Sequence, residues 1–157
     1  VYSGFELCEA RALPGREEYA ASEKYEIRAW DWEARGNIIA EITRLNRIRR
    51  ANPALQTHLG VSFHNAFNDQ VLYYSKATPD LQNVVLVAVN LDPHFPQECD
   101  IEIPLWLWGM SDAAAVGVTD LMAGHGFTWT GKMQRIRLDP AVTPFAIWRI
   151  RPANGAA

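Results

Sequence analysis

The sequence holds too little of several things to belong to many classes of protein. Cysteine occurs only twice in 157 residues, at Cys8 and Cys99, in unrelated contexts and without metal-ligand spacing. Neither a disulfide framework nor a cysteine metal site organises such a chain, and two reduced thiols in a cytoplasmic protein are expected. No apolar run approaches the roughly 20 residues that a membrane span requires. An excess of one charge is missing too. Fifteen Lys and Arg against 18 Asp and Glu leave a formal net charge of −3, which offers no general attraction to nucleic acid or to an anionic membrane. His58, His64, His94 and His125 are widely separated and form no HxxxH or HExxH arrangement, so no metal is expected and no cofactor is implied. The chain starts at Val1 with neither Met nor a signal peptide, which points to an excised fragment.

What is present begins with one helix. Ile38, Ile42, Leu45 and Ile48 recur at spacings of four, three and three and share a face of an α-helix from Asn37 to Asn52. Asn37 caps its start, Pro53 forbids its continuation, and Arg44, Arg47, Arg49 and Arg50 gather where the helix dipole is negative. These arginines are the only basic cluster, and a solvated, dipole-matched face is preferred over an anion site. The apolar side of the helix needs a partner. No second helix of this quality follows, so the partner is a sheet or part of a larger protein.

Before the helix, Pro14-Gly15 signals a turn, and a stretch dense in charge and aromatics sustains neither period. A connection of this length before a well-formed helix is usually functional or disordered, and Tyr19, Tyr25, Trp30 and Trp32 argue against disorder. After Pro53 the pattern becomes that of strands, at 61–67, 70–77, 84–91, 99–103, 115–121, 127–129, 133–138 and 145–150, bounded by Asn-Asp, Asp-Pro and Gly signals. The run Val84-Val85-Leu86-Val87-Ala88-Val89 fits a central strand buried on both faces. Met133, Ile136 and Leu138, interrupted by Arg135 and Arg137, fit a strand with one wet face. An antiparallel β-sandwich is the expected architecture, and 127–129 with 133–138 should form a hairpin through Thr130-Gly131-Lys132. Trp106 and Trp108, read as alternating in a strand, together with Trp129 and with Trp30 and Trp32 before the helix, are expected to pack in the core or between domains, with stacking on sugar rings as the alternative.

The segments YSGFELCE, PGREEY, SEKYEIR, LNRIRRANPAL, NAFNDQVLYYSK, NVVLVAVNLDPH, QECDIEIPLW, DLMAGHGFTWTGK, IRLDP and PFAIWRI carry a family resemblance over nearly the whole chain. Together they resemble the C-terminal part of the maltosyltransferases that use maltose 1-phosphate to extend α-1,4-glucan, within the α-amylase clan of glycoside hydrolases. The combination of NLDPH and TWTGK with SEKYEIR separates this branch from ordinary amylases.

The resemblance implies a mainly β chain: a C-terminal β-sandwich preceded by one amphipathic helix and the remnant of a (β/α)8 barrel end. Tyr2 to Leu7 would be the eighth barrel strand, Ala10 to Gly36 the loop after it, and Asn37 to Asn52 the eighth helix. Residues 1–58 would belong to the barrel and 59–157 to the sandwich. Loops at this end of a barrel build the active site. Family members are retaining enzymes whose carboxylates come from earlier strands, so no catalytic residue is assigned here and this chain alone should be inactive. Glu17, Glu18, Glu23, Glu26, Asp31 and Glu33 show no spacing that selects an acid and a nucleophile. The implied binding residues are Lys24 and Tyr25 in SEKYE, with Arg28 a weaker candidate. An ammonium suits a phosphate, and a phenol can bond a phosphate oxygen or a sugar hydroxyl. Without the family motif the pair reads as a surface lysine beside a half-buried tyrosine. The implied partners are maltose 1-phosphate, α-glucan and the missing barrel, and the orphaned barrel segment is expected to pair with another copy in a homodimer, to lie against the sandwich, or to be poorly ordered. The alternatives are a carbohydrate-binding sandwich module and the C-terminal part of another clan enzyme with a hydrolytic or trehalose-forming reaction.

Overall fold

A computed structural model describes residues 4–17, 20, 27 and 29–153. The chain divides into two compact units, Val1–Arg47 and Ile48–Ala157. In the first, Phe5–Leu7 form a 3-10 turn that follows Gly4 at φ 91°. Tyr2 and Ser3 lie outside the described residues; over residues 4–7 this turn stands in place of the strand expected at Tyr2 to Leu7. Its amides bond locally, Leu7 N–H to Gly4 O at 3.1 Å and Cys8 N–H to Phe5 O at 3.1 Å, because no described segment flanks it to supply a ladder. The Trp30 ring fills the space beside Gly4, where a Cβ would lie 2.4 Å from it. The helix α1 spans Ile39–Ala51, within two residues of the expected bounds. Asn37 Oδ1 accepts the Ile39 N–H at 3.1 Å, so the cap is where the sequence places it. Ile38, Ile42 and Leu45 are half-buried and Ile48 is buried, whereas the arginines are exposed.

Eight strands follow: β1 (Val61–Phe63), β2 (Val71–Ala77), β3 (Val84–Asn90), β4 (Gln97–Glu102), β5 (Ala115–Asp120), β6 (Gly126–Thr130), β7 (Met133–Leu138) and β8 (Phe145–Pro152). Six form an antiparallel sheet in the order β1-β2-β3-β8-β5-β6, and β4 pairs with β7 in a second sheet. Val84, Leu86 and Ala88 of β3 meet Cys99, Ile101, Ile136 and Leu138 of the second sheet in one core with Val116, Val118, Trp148 and Ile150. Each buried Val, Leu or Ile contributes about 1.5–3 kcal/mol relative to exposure. Val85 and Val87, on the other face of β3, are buried as well. The Pro53–Leu55 turn lies against β2 and β3, and β3 is buried on both faces. The expected doubly buried central strand is thereby realised.

The turn is held by a buried amide relay. Asn52 Nδ2 donates to Ile48 O at 2.8 Å, Asn83 Nδ2 donates to Asn52 Oδ1 at 3.1 Å, and the Ala54 N–H donates to Asn83 Oδ1 at 3.1 Å. Asn52 and Asn83 are 2% and 8% exposed, so the relay links the end of α1 directly to the β2–β3 connection.

Three expectations are corrected. β6 pairs with β5 and β7 with β4, so Thr130-Gly131-Lys132 is a step between sheets and not a hairpin. Phe127 and Trp129 pack against the same core as Ile136 and Leu138, and both sets reach it only by facing each other from opposite sheets. Gly131, at φ 81°, donates to Ala114 O, and Lys132 N–H donates to Asp112 O, each at 2.9 Å. The second correction is at Leu105–Trp108, which is a 3-10 helix closed by Gly109 at φ 61°, not a strand. The third is Met133, which shares the exposed parity of Arg135 and Arg137; the buried alternation comes from Ile136 and Leu138 alone.

Candidate functional site

Lys24 and Tyr25 lie outside the described residues, as do Glu18, Tyr19, Glu23, Glu26 and Arg28. The segments before and after them are tied down locally. Ala20 N–H donates to Arg11 O at 2.7 Å and Ile38 N–H to Glu6 O at 2.8 Å. Asp31 Oδ1 accepts the Glu33 N–H at 3.1 Å. Glu6 Oε2 is buried with no hydrogen-bond partner, on the short turn where the family resemblance puts the end of a barrel strand.

In the sandwich, register brings together a cluster that no local motif announces. His64, just after β1, hydrogen-bonds through Nε2 to Ser75 Oγ of β2 at 2.7 Å. Its ring contacts Tyr73 and Trp106, with centroids 5.6 Å away in each case. Tyr73 OH donates to Glu102 O at 3.2 Å and Asn65 Nδ2 donates to Glu102 Oε2 at 3.3 Å. Lys132 Nζ reaches Glu102 Oε1 at 3.7 Å and Asp112 Oδ2 at 2.7 Å. Burial pushes His64 below the ordinary imidazole value, and the Glu102 carboxylate opposes this more weakly. The ring is therefore neutral near pH 7. Burial, with smaller contributions from Glu102 and Cys99, pushes the Tyr73 phenol far up. Ser75 is 2% exposed, which denies substrate access to its hydroxyl. The cluster can position an aromatic ring and offer polar groups.

The tryptophans divide. Trp148 is buried, Trp129 meets it at 5.1 Å and 70°, and Trp108 packs against the core, as expected of core tryptophans. Trp106 and Trp32 are instead 52% and 50% exposed. Among the described residues no three His, Cys, Asp or Glu gather as a metal site, and no helix is long and apolar enough to cross a membrane. Cys8 and Cys99 are free thiols. An open groove of about 370 Å³ runs over Gly117, Gly126, Thr119, Thr128 and Arg151, with no buried charge to fix a ligand in it.

The six-plus-two antiparallel sandwich is of the kind found in α-amylases. The chain matches a crystal structure of an Anoxybacillus alpha-amylase with a TM-score of 0.55 at 16% identity, covering 82% of this chain and 25% of that one. Residues 63–150 match the family described as "GLGE, C-terminal", and the chain belongs to that family. Its relatives include the alpha-1,4-glucan:maltose-1-phosphate maltosyltransferase of Pseudomonas aeruginosa, 60% identical over 151 residues, or 96% of this chain and 23% of that protein. The enzyme of the same name from Burkholderia pseudomallei is 54% identical over 100% of this chain and 14% of its own length. The chain thus spans less than a quarter of these relatives.

Proposed function

We propose that this chain is the C-terminal part of a longer maltosyltransferase that moves maltosyl units from maltose 1-phosphate to the non-reducing end of α-1,4-glucan. The observation that carries the reading is the 60% identity to a protein of that name, sustained over 96% of the chain. Residues 1–58 belong to the end of a catalytic barrel and 59–157 form the supporting sandwich. The reaction is retaining: a carboxylate nucleophile and a general acid, both on earlier barrel strands, form and resolve a glycosyl intermediate. This chain supplies neither, so alone it is inactive.

Lys24 and Tyr25 contribute to the donor site, Lys24 as the positive partner of the phosphate and Tyr25 as a hydrogen-bonding neighbour. The protein works in the cytoplasm, in keeping with two free thiols. Self-association of the isolated chain belongs to the surface that the barrel occupies in the longer protein. The site assignment is tested in that longer protein. A charge-assisted bond to phosphate contributes about 1.5–3 kcal/mol, so Lys24→Ala should raise KM for maltose 1-phosphate by roughly 10- to 100-fold while the fold persists. Unchanged kinetics with maltose 1-phosphate would remove Lys24 from the site.

A further inference from the structure

We infer that Trp106, with Asn65 and the Glu102–Lys132 pair beside it, forms a surface site for an α-1,4-glucan chain. The inference rests on reading the chain as part of a glucan-extending enzyme. Trp106 is anchored from below and open above. It sits in a four-residue 3-10 helix whose first residue, Leu105, is 1% exposed, and the turn is closed by Gly109 N–H to Trp106 O at 3.0 Å and Met110 N–H to Leu105 O at 3.2 Å. His64 meets the indole at 69° and is itself pinned by the buried Ser75 hydroxyl. In such a T-shaped contact one ring supplies an edge, so at least one face of the indole is not covered by the imidazole. A large side chain fixed in orientation yet 52% exposed is a preformed platform, which lowers the ordering cost of binding.

The chemistry beside it fits a sugar polymer. Asn65 follows His64 in sequence and gives one N–H to Glu102 Oε2, leaving its amide three further hydrogen-bonding positions. Glu102 and Lys132 keep 22% and 37% of their side chains exposed, 3.7 Å apart. Hydroxyls can give to the carboxylate and accept from the amide or ammonium, while the apolar face of a pyranose lies on the indole. On the second sheet, Glu98, Asp100 and Asp139 are engaged by Arg135 and Arg137 at 2.9–3.5 Å.

The test titrates the 157-residue chain with maltoheptaose and follows the indole N–H resonances. The Trp106 signal should shift, cellohexaose should leave it unmoved, and Trp106→Ala should weaken binding at least about tenfold. Asn65→Ala, an exposed change that leaves the 3-10 helix intact, should also weaken it, whereas Trp32→Ala should not. A chain that ignores maltoheptaose, or binds it equally well without Trp106, overturns the inference. Phosphate release from maltose 1-phosphate by the longer protein is measured in parallel. Release without glucan binding by the sandwich refutes this site and leaves the maltosyltransferase reading intact; glucan binding without release does the reverse.

Discussion

Replacing Asn83 by alanine should destabilise the sandwich far more than its small size suggests. Its amide oxygen accepts the Ala54 N–H and its amide nitrogen donates to Asn52 Oδ1, both at 3.1 Å. Ala54 is 0% exposed and Asn52 2%, so removing the side chain strands one buried donor and one buried acceptor. Each orphaned group costs about 1–3 kcal/mol. The sum is ~2–6 kcal/mol, centred on about 4 kcal/mol. For a chain of this size that corresponds to a fall in Tm of roughly 8–16 °C.

Asn83→Asp separates the two contacts. A carboxylate still accepts from Ala54 but faces the Asn52 oxygen with no proton to give. Protonation restores that donor, so the folded variant favours the acid form and the pKa of the introduced carboxyl rises above its unfolded value. The variant's stability, relative to the natural chain, should then be greatest below the unfolded carboxyl pKa and decline as pH rises through the folded one. Urea unfolding of the natural chain and both variants across that range measures each difference. If Asn83→Ala lay within about 0.5 kcal/mol of the natural chain, as harmless surface changes do, the relay would not be the tie described.

Three further outcomes follow from other places in the fold. At Gly60, φ is +69° and a Cβ would lie 2.4 Å from Ala77 O, whereas at Gly109 φ is +61° with open space. Gly109→Ala should cost about 1–2 kcal/mol for the left-handed backbone alone, and Gly60→Ala clearly more; equal losses by urea unfolding would contradict the packing at Gly60. His64 is held below its ordinary pKa by burial, so its contribution is complete above the unfolded value and is lost as pH falls through the window below about 6.5. His64→Gln should flatten stability against pH in that window, and an unaltered slope would place the imidazole in water. The Arg137 hydrogen bond, ahead of that from Arg135, holds the Glu98 carboxyl below its usual range. An NMR titration should show this at low salt and a return toward the ordinary value in about 1 M NaCl, where the Debye length is ~3 Å; a salt-independent titration would refute the ion-pair cause.

Most strands were legible because β-branched runs and Asp-Pro or Gly boundaries coincide with real edges, though the strand expected at 61–67 ends at Phe63, and α1 was legible because its isoleucines keep helical spacing up to Pro53. Pairing was less legible. Thr130-Gly131-Lys132 has the chemistry of a hairpin, but the same glycine serves a step between sheets, and only the need for Trp129 and Ile136 to meet across one core decides between them. Leu105–Trp108 alternates like a strand, yet Pro104 before it and a left-handed Gly109 after it wind it into a 3-10 helix. Lys24 and Tyr25 stand out only through the family motif, since a lysine beside a tyrosine carries no signal of its own. The His64, Ser75, Glu102 and Trp106 cluster was invisible because its members come from separate segments joined by register.

The central claim is that the chain belongs to a protein whose chemistry lies mostly outside these 157 residues. The most direct measurement is phosphate release from maltose 1-phosphate with a maltooligosaccharide acceptor, made on the isolated chain and on the longer protein that carries it. The account predicts none from the isolated chain and, from the longer protein, phosphate matched by acceptors lengthened by maltosyl units. Turnover by the isolated chain, or a longer protein that hydrolyses glucan and leaves maltose 1-phosphate untouched, would contradict it.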